Sequence, residues 1–206
     1  MPHESNPTHE SLTSPVPVAD REAEGLGKMF DQIAAGLYNL ASMFVGEGEE
    51  GVQLVEATIA TAEVSVCQDP ELARSNSRLA MCRMAIEAIQ KRNAESLAAP
   101  EAASGPVTCI EVDDLDAAGV SHEELERMIS GPDRERVRKW LEGLSVAVRT
   151  VFVLRAVAGF SGVETAALLA ELGGPKAAGW TPQGVRETFQ QGLCSLASQL
   201  IHASVR

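Results

Sequence analysis

Three glutamates, Glu47, Glu49 and Glu50, lie together in the short stretch EGEEG. Paired carboxylates can perform general acid–base catalysis when the environment raises the pKa of one of them. This stretch is instead rich in glycine and charge, which is typical of a solvent-facing turn. We therefore expect turn chemistry here and no enzyme activity, since the chain also lacks a phosphate-binding glycine loop and a nucleophile elbow.

The cysteines and histidines give no metal-ligand spacing. The four cysteines are Cys67, Cys82, Cys109 and Cys194. They lie far apart and form no Cys-x-x-Cys pair, so the expectation is buried or incidental thiols. The four histidines likewise lack partners at the spacing of a zinc site. The sequence predicts neither a metal ion nor another cofactor.

Basic side chains are concentrated between residues 72 and 92. This stretch has five basic residues and one acidic residue, Glu87, a balance of +4. The basic residues are Arg74, Arg78, Arg83, Lys91 and Arg92. Lys and Arg that neutralise phosphates supply most of the non-specific affinity for nucleic acid. The pattern indicates a nucleic-acid contact, and a solvated basic helix face is the alternative.

The formal net charge of −12 is distributed unevenly along the chain. Residues 133–206 carry nine basic and six acidic residues, whereas residues 93–133 carry ten acidic residues and one arginine. Acid is therefore concentrated between the two ends of the chain. This concentration of acid indicates a self-repelling solvated linker.

The elements that position these residues are predicted to be α-helices, because apolar residues recur at steps of three and four. The first stripe is Phe30, Ile33, Leu37, Leu40, Ala41 and Phe44. The second is Leu54, Val55, Thr58, Ile59 and Ala62. The third is Leu79, Cys82, Ala85, Ile86 and Ile89, preceded by Leu72. The predicted fold class is all-α.

Capping signals divide the C-terminal part. Ser121 with Glu124, and Ser161 with Glu164, have capping-box spacing and predict two helix starts. The Val-rich run 146–159 is predicted to be helical, because no second strand candidate lies nearby to pair with it. Thr181 followed by proline predicts the start of a last helix. Its inward residues are Val185, Phe189, Leu193, Leu196 and Leu200.

The predicted organisation is a disordered tail (1–19), a helical domain (20–96), an acidic linker (97–132) and a second helical domain (133–206). The linker is expected to become ordered only against a partner. The chain has no secretory signal pattern and no run of about 18 apolar residues. We expect a soluble, cytoplasmic protein without membrane contact.

Three stretches in this order carry a family resemblance: EEGVQLVEATIATA, SRLAMCRMAIEAIQKRN and, in the C-terminal part, VFVLR (151–155). The last is accompanied by Leu144, Arg149, Gly159, Ser161, Glu164, Ala166, Leu168 and Leu169. The chain resembles a bacterial RNA polymerase sigma factor of the sigma-70 family, in the extracytoplasmic-function group that keeps only regions 2 and 4. The resemblance covers about residues 20–93 and 133–202. It implies that the connector between these regions threads the basic active-site cleft of the polymerase, where an acidic connector would imitate nucleic acid.

The resemblance implies a transcription initiation factor with core RNA polymerase, promoter DNA and an anti-sigma factor or other regulator as partners. The implied polymerase-binding residues are Gln53, Leu54, Val55 and Glu56. The basic residues Arg74, Arg78, Arg83, Lys91 and Arg92 would hold and help to open the promoter. The upstream element would be read by Thr181, Gln183, Arg186, Gln190 and Gln191, on the second helix of a helix-turn-helix.

Two departures keep an alternative open. The turn GGPKAAGW (173–180) is longer than the three or four residues usual between such helices, and Arg186 is nearly the only cation on the recognition helix. A diverged sigma-like interaction module would hold polymerase or a regulator without reading promoter DNA. The sequence leaves both functions open.

Overall fold

The computed structural model describes residues 18–61, 69–100 and 109–204, with side chains described for 31–61, 69, 71–100 and 109–202. Within these ranges the chain contains helices and no strand, which confirms the all-α prediction. The helices are α1 (Val18–Val45), α2 (Glu49–Thr61), α3 (Pro70–Arg92), α4 (His122–Ser130), α5 (Arg134–Glu142), α6 (Val146–Phe152), α7 (Gly162–Leu172) and α8 (Pro182–Ser204). No described helix is long and apolar enough to cross a membrane.

Two compact units divide the chain, Met1–Gln32 and Ile33–Arg206. The first unit contains the N-terminal part of α1. The remaining helices belong to the second unit, so the predicted boundaries at 96/97 and 132/133 stay a prediction. The predicted tail 1–19 falls almost wholly outside the described residues, as do Ala62, Cys67 and residues 101–108 of the linker.

The stripe on α1 is confirmed wherever its side chains are described: Ile33, Leu37, Leu40, Ala41 and Phe44 are buried. Helix α2 packs on α3, and the Thr58 hydroxyl approaches the Met81 sulfur at 3.8 Å. On α3 the buried residues are Cys82, Ala85, Ile86 and Ile89. Burial raises the pKa of the Cys82 thiol to about 12, so this thiol is protonated and unreactive at neutral pH.

Three apolar residues predicted to be inward are exposed instead. Leu72, Leu79 and Ile59 have exposed fractions of 57%, 39% and 49%. Ile59 lies roughly 100° around the helix from Thr58, since an α-helix has 3.6 residues per turn. These residues therefore mark the edge of each stripe, where the neighbouring helix no longer covers the surface.

The Val-rich run is helical, as predicted. Helix α6 continues directly into a π-helical turn, Val153–Val157. The Phe152 ring meets the Trp140 ring edge-on with 5.0 Å between centroids and lies 5.7 Å from the Phe189 ring. Gly192 of α8 lies against Phe152, and an added Cβ would be only 3.0 Å from its ring. A close aromatic contact thus joins α5, α6 and α8.

Both predicted capping boxes are present, at Ser121 with Glu124 and at Ser161 with Glu164. The Thr181 hydroxyl accepts a hydrogen bond of 3.1 Å from the Gly184 N–H, and α8 starts at Pro182 as predicted. Of the inward residues predicted for α8, Val185, Phe189, Leu193 and Leu196 are buried and Leu200 is half-buried.

Candidate nucleic-acid interface

The side of α8 predicted to read DNA is only partly accessible. Thr181, Gln183, Arg186 and Gln191 are exposed. Gln190 is buried, with 6% of its surface exposed, because its amide nitrogen donates to the backbone carbonyl of Glu111 at 2.7 Å. Gln190 therefore cannot contact a base edge in this structure, which corrects its predicted role.

Arg186 bonds to the same stretch of chain. Its Nη2 donates to the Glu111 carbonyl at 3.1 Å, and its Nε lies 3.6 Å from the Asp113 carboxylate. Asp113 also accepts from Arg155 Nη2 at 3.3 Å. Arg155 lies over the Phe189 ring at 5.2 Å, a cation–π contact that holds the guanidinium on α8. The Asp113 carboxylate therefore pairs with both Arg155 and Arg186. These are the cations closest to the reading face, the side of α8 that is predicted to read DNA.

These contacts come from residues 109–120, which we call the acidic segment. Ile110, Leu115, Ala118 and Val120 are buried, and a 3₁₀ turn, Leu115–Ala118, packs on α8. The expectation that this part of the linker is ordered only against a partner is wrong. Its apolar side chains are buried within the chain itself, and burial offsets the entropy cost of ordering the segment.

A disulfide joins the start of the acidic segment to the middle of α8. Cys109 and Cys194 are bonded, with Cα atoms 5.7 Å apart across a sequence separation of 85 residues. Buried or incidental thiols were expected for both, so this prediction is wrong. Two isolated cysteines this far apart in sequence give no local spacing signal, and only the packing of the segment on α8 brings them together.

The basic residues of α3 are exposed, except Arg83, which is half-buried about 180° around the helix from Arg92, and most of them form ion pairs. Arg83 donates to Glu171 of α7 at 3.2 Å, and Arg92 donates to Glu50 of α2 at 2.6 Å. Two further pairs lie within α3, Arg74 with Glu71 and Lys91 with Glu87. Arg78 forms no ion pair with a described residue. Ion pairs this exposed contribute little to stability because water and salt screen them, so phosphate groups can replace these carboxylates at little cost.

The residues predicted to bind polymerase divide between the two sides of α2. Gln53 and Glu56 are exposed and Val55 is half-buried. Leu54 has 5% exposure on the same face as Thr58, which contacts α3, so it holds α2 in place and is not available to a partner. The Gln53 amide donates to Glu49 at 3.2 Å.

The long turn between α7 and α8 is folded. Ala177 and Trp180 are buried, and the Trp180 Nε1–H donates to the Leu97 carbonyl at 2.9 Å. Lys176 pairs with Glu95, and its carbonyl accepts from the Ala99 N–H at 3.0 Å. The insertion is thus fixed against residues 95–99, and its contacts help to set the start of α8.

The glutamates of EGEEG are each partnered. Glu47 lies 3.8 Å from the guanidinium groups of Arg134 and Arg138, and Glu50 pairs with Arg92. No group of three or more potential metal ligands occurs among the described residues.

The arrangement as a whole is that of a helical protein with two capped helices, α7 and α8, in sequence, a basic face on α3, and an acidic segment bonded to the outward side of α8. No protein-family profile, no curated protein and no solved structure matches this chain.

Proposed function

We propose that this protein is an extracytoplasmic-function-type sigma factor, which binds core RNA polymerase in the cytoplasm and directs promoter recognition and transcription initiation. The observation that carries the proposal is the start of α8. Thr181, Gln183 and Arg186 are exposed on its first turns, and helix-turn-helix proteins contact base edges mainly with the N-terminal residues of the second helix. Arginine pairs with guanine and glutamine with adenine in the major groove.

The charge on α3 supports the DNA-holding part of the proposal. Arg74, Arg78 and Arg92 are exposed, and the ion pairs on this face are exchangeable. A promoter would replace the carboxylates on this face, Glu71 and Glu50, with its phosphates, releasing counterions in the process.

The exposed side of α2 supports docking on polymerase. Gln53 and Glu56 share this helix with Val52 and Ile59, whose exposed fractions are 40% and 49%. A mixed polar and apolar helix face is the usual composition of a protein interface. Leu54 has no part in it because it is buried.

The test is promoter selection by the polymerase complex. Core polymerase is incubated with a library of promoter fragments, with and without the full chain, in a buffer that contains a dithiol reductant, and the retained fragments are sequenced. We expect enrichment of one promoter class. The double variant R186A/Q191A should abolish the enrichment, whereas Lys139→Ala on the exposed side of α5 is the matched control and should not.

An interaction module that does not read promoters is the second candidate. The observation that favours it is the burial of Gln190 and the bonding of Arg186 to the Glu111 carbonyl. Retention of the chain on polymerase without enrichment of any fragment would support this module. Absence of the chain from the polymerase complex would contradict the sigma-factor proposal and would leave only a module that holds a regulator.

A further inference from the structure

We propose that the Cys109–Cys194 disulfide is a redox latch that holds the acidic segment over α8, so that Arg186 and Gln190 of the reading face are bonded to the segment in the oxidised protein and released in the reduced one. The consequence for DNA rests on the proposed function. The latch itself rests only on the contacts between the segment and α8.

The disulfide lies next to the contacts that hold the acidic segment on α8. Cys109 is two residues before Glu111, whose carbonyl accepts from Gln190 and Arg186, and four before Asp113. Cys194 is one helical turn beyond Gln190 on α8. The covalent bond therefore keeps the Glu111 carbonyl at a high effective concentration beside its two donors.

Without the bond, little else holds the first half of the segment. Between 109 and 114 only Ile110 is buried, and the remaining contacts are the two hydrogen bonds to the Glu111 carbonyl, the ion pairs of Asp113, and a hydrogen bond of 3.0 Å from the Cys109 N–H to the Cys194 sulfur. Arg186 is 47% exposed, so water competes for its contacts. Leu115, Ala118 and Val120 stay buried on the other side, so opening is confined to residues 109–114 and α8 remains folded.

The chemistry is thiol–disulfide exchange with a cellular dithiol. Cys109 is exposed and Cys194 is half-buried, so a dithiol's thiolate attacks the Cys109 sulfur. The S–S bond breaks, the Cys194 sulfur leaves as a thiolate and takes up a proton, and a mixed disulfide forms on Cys109. The second thiol of the reductant then displaces Cys109, so the protein gains two electrons and two protons and the dithiol becomes a disulfide. In the cytoplasm, disulfides are typically transient and redox-sensing.

The experiment compares the full chain in oxidised and reduced form, with the Cys109–Cys194 bond assigned by mass spectrometry of its peptides. Amide hydrogen exchange is measured over residues 109–114 and α8, and affinity is measured for a fluorescein-labelled duplex of random sequence. We expect faster exchange at 109–114 after reduction and about tenfold tighter DNA binding.

Variants separate the latch from unrelated thiol effects. Cys109→Ser, at an exposed position, should match the reduced form in either buffer, while Cys67→Ser should keep the redox dependence. Asp113→Asn should speed exchange at 109–114 even in the oxidised protein, because Arg155 and Arg186 lose their shared carboxylate.

The outcomes distinguish the two proposals. Equal exchange at 109–114 in both redox states would overturn the latch, and faster exchange after reduction with the same measurable DNA affinity in both states would overturn its control of DNA binding. Faster exchange after reduction with no DNA binding in either state would support the latch and count against DNA reading by α8.

Discussion

The two tryptophans use their indole N–H groups to join distant parts of the second unit. Trp180 donates to the Leu97 carbonyl in a buried position, and Trp140 donates to the Ser195 hydroxyl at 2.9 Å in a half-buried one. Leaving a buried acceptor unsatisfied costs about 1–3 kcal/mol, whereas an acceptor near the surface can bond to water instead.

Trp180→Phe should therefore lower the free energy of unfolding by about 1–3 kcal/mol. Trp140→Phe is the matched control and should cost less, because water can reach Ser195. Urea unfolding followed by circular dichroism measures both. Equal losses for the two variants would contradict a special role of the Trp180–Leu97 bond.

The capping glutamates make stability depend on pH. The Ser161 hydroxyl and its backbone N–H hold the pKa of Glu164 below its usual 4.5, and the Ser121 backbone N–H and hydroxyl do the same for Glu124. Because the folded pKa lies below the unfolded one, the contribution is complete above about pH 4.5 and is lost as the pH falls below that value.

Thermal unfolding measured from neutral to acidic pH should show this loss. Glu164→Gln keeps an acceptor for the cap but does not titrate, so its unfolding temperature should fall less steeply below pH 4.5 than that of the native chain. Ser161→Ala, which removes the hydroxyl partner, should also flatten the curve. Parallel curves for all three proteins would show that the cap has no part in the acid response.

The packing of α6 against α8 depends on one glycine, Gly192. The Phe152 ring is buried, with the Trp140 ring 5.0 Å and the Phe189 ring 5.7 Å away between centroids. A Cβ at Gly192 would lie 3.0 Å from that ring, whereas a Cβ at Gly36 on α1 would meet nothing within 4 Å.

Gly192→Ala should accordingly destabilise the protein by about 1–3 kcal/mol through overpacking. Gly36→Ala, the same change in an open helical position, should stabilise it by about 0.5–1 kcal/mol, since alanine costs less backbone entropy. Denaturant unfolding of the two variants gives both numbers. If Gly192→Ala stabilised the protein instead, the Phe152 ring would have to move aside to make room for the added methyl group.

Short-range sequence signals predict the helices, whereas contacts between residues far apart in the sequence determine which residues of the candidate interface are accessible. The capping boxes at Ser121 and Ser161 and the start of α8 at Thr181 depend on residues within four positions of each other, so the sequence contains them in full. The burial of Gln190 depends on a carbonyl 79 residues away, and the disulfide on a partner 85 residues away. Side-chain periodicity along α8 carries no information about which segment covers it.

At the scale of the molecule, contacts connect the helices of both predicted sigma-like regions within Ile33–Arg206. Arg83 of α3 bonds to Glu171 of α7, and Trp180 bonds to Leu97. Helix α3 also packs directly on α7. We therefore expect these helices to unfold together.

Calorimetry of the full oxidised chain should show one transition whose calorimetric and van't Hoff enthalpies agree. Two resolved transitions would instead indicate that the regions around 33–96 and 133–204 unfold independently. The Trp180→Phe variant should lower the temperature of the single transition without splitting it.

We propose that this chain starts transcription by reading DNA through α8. Run-off transcription by core polymerase on the enriched promoter fragments, with the reduced chain added, tests it most directly. We expect a discrete transcript that depends on the chain and is lost with R186A/Q191A but not with Lys139→Ala. A transcript of the same yield with and without the chain, or one unaffected by R186A/Q191A, would contradict it.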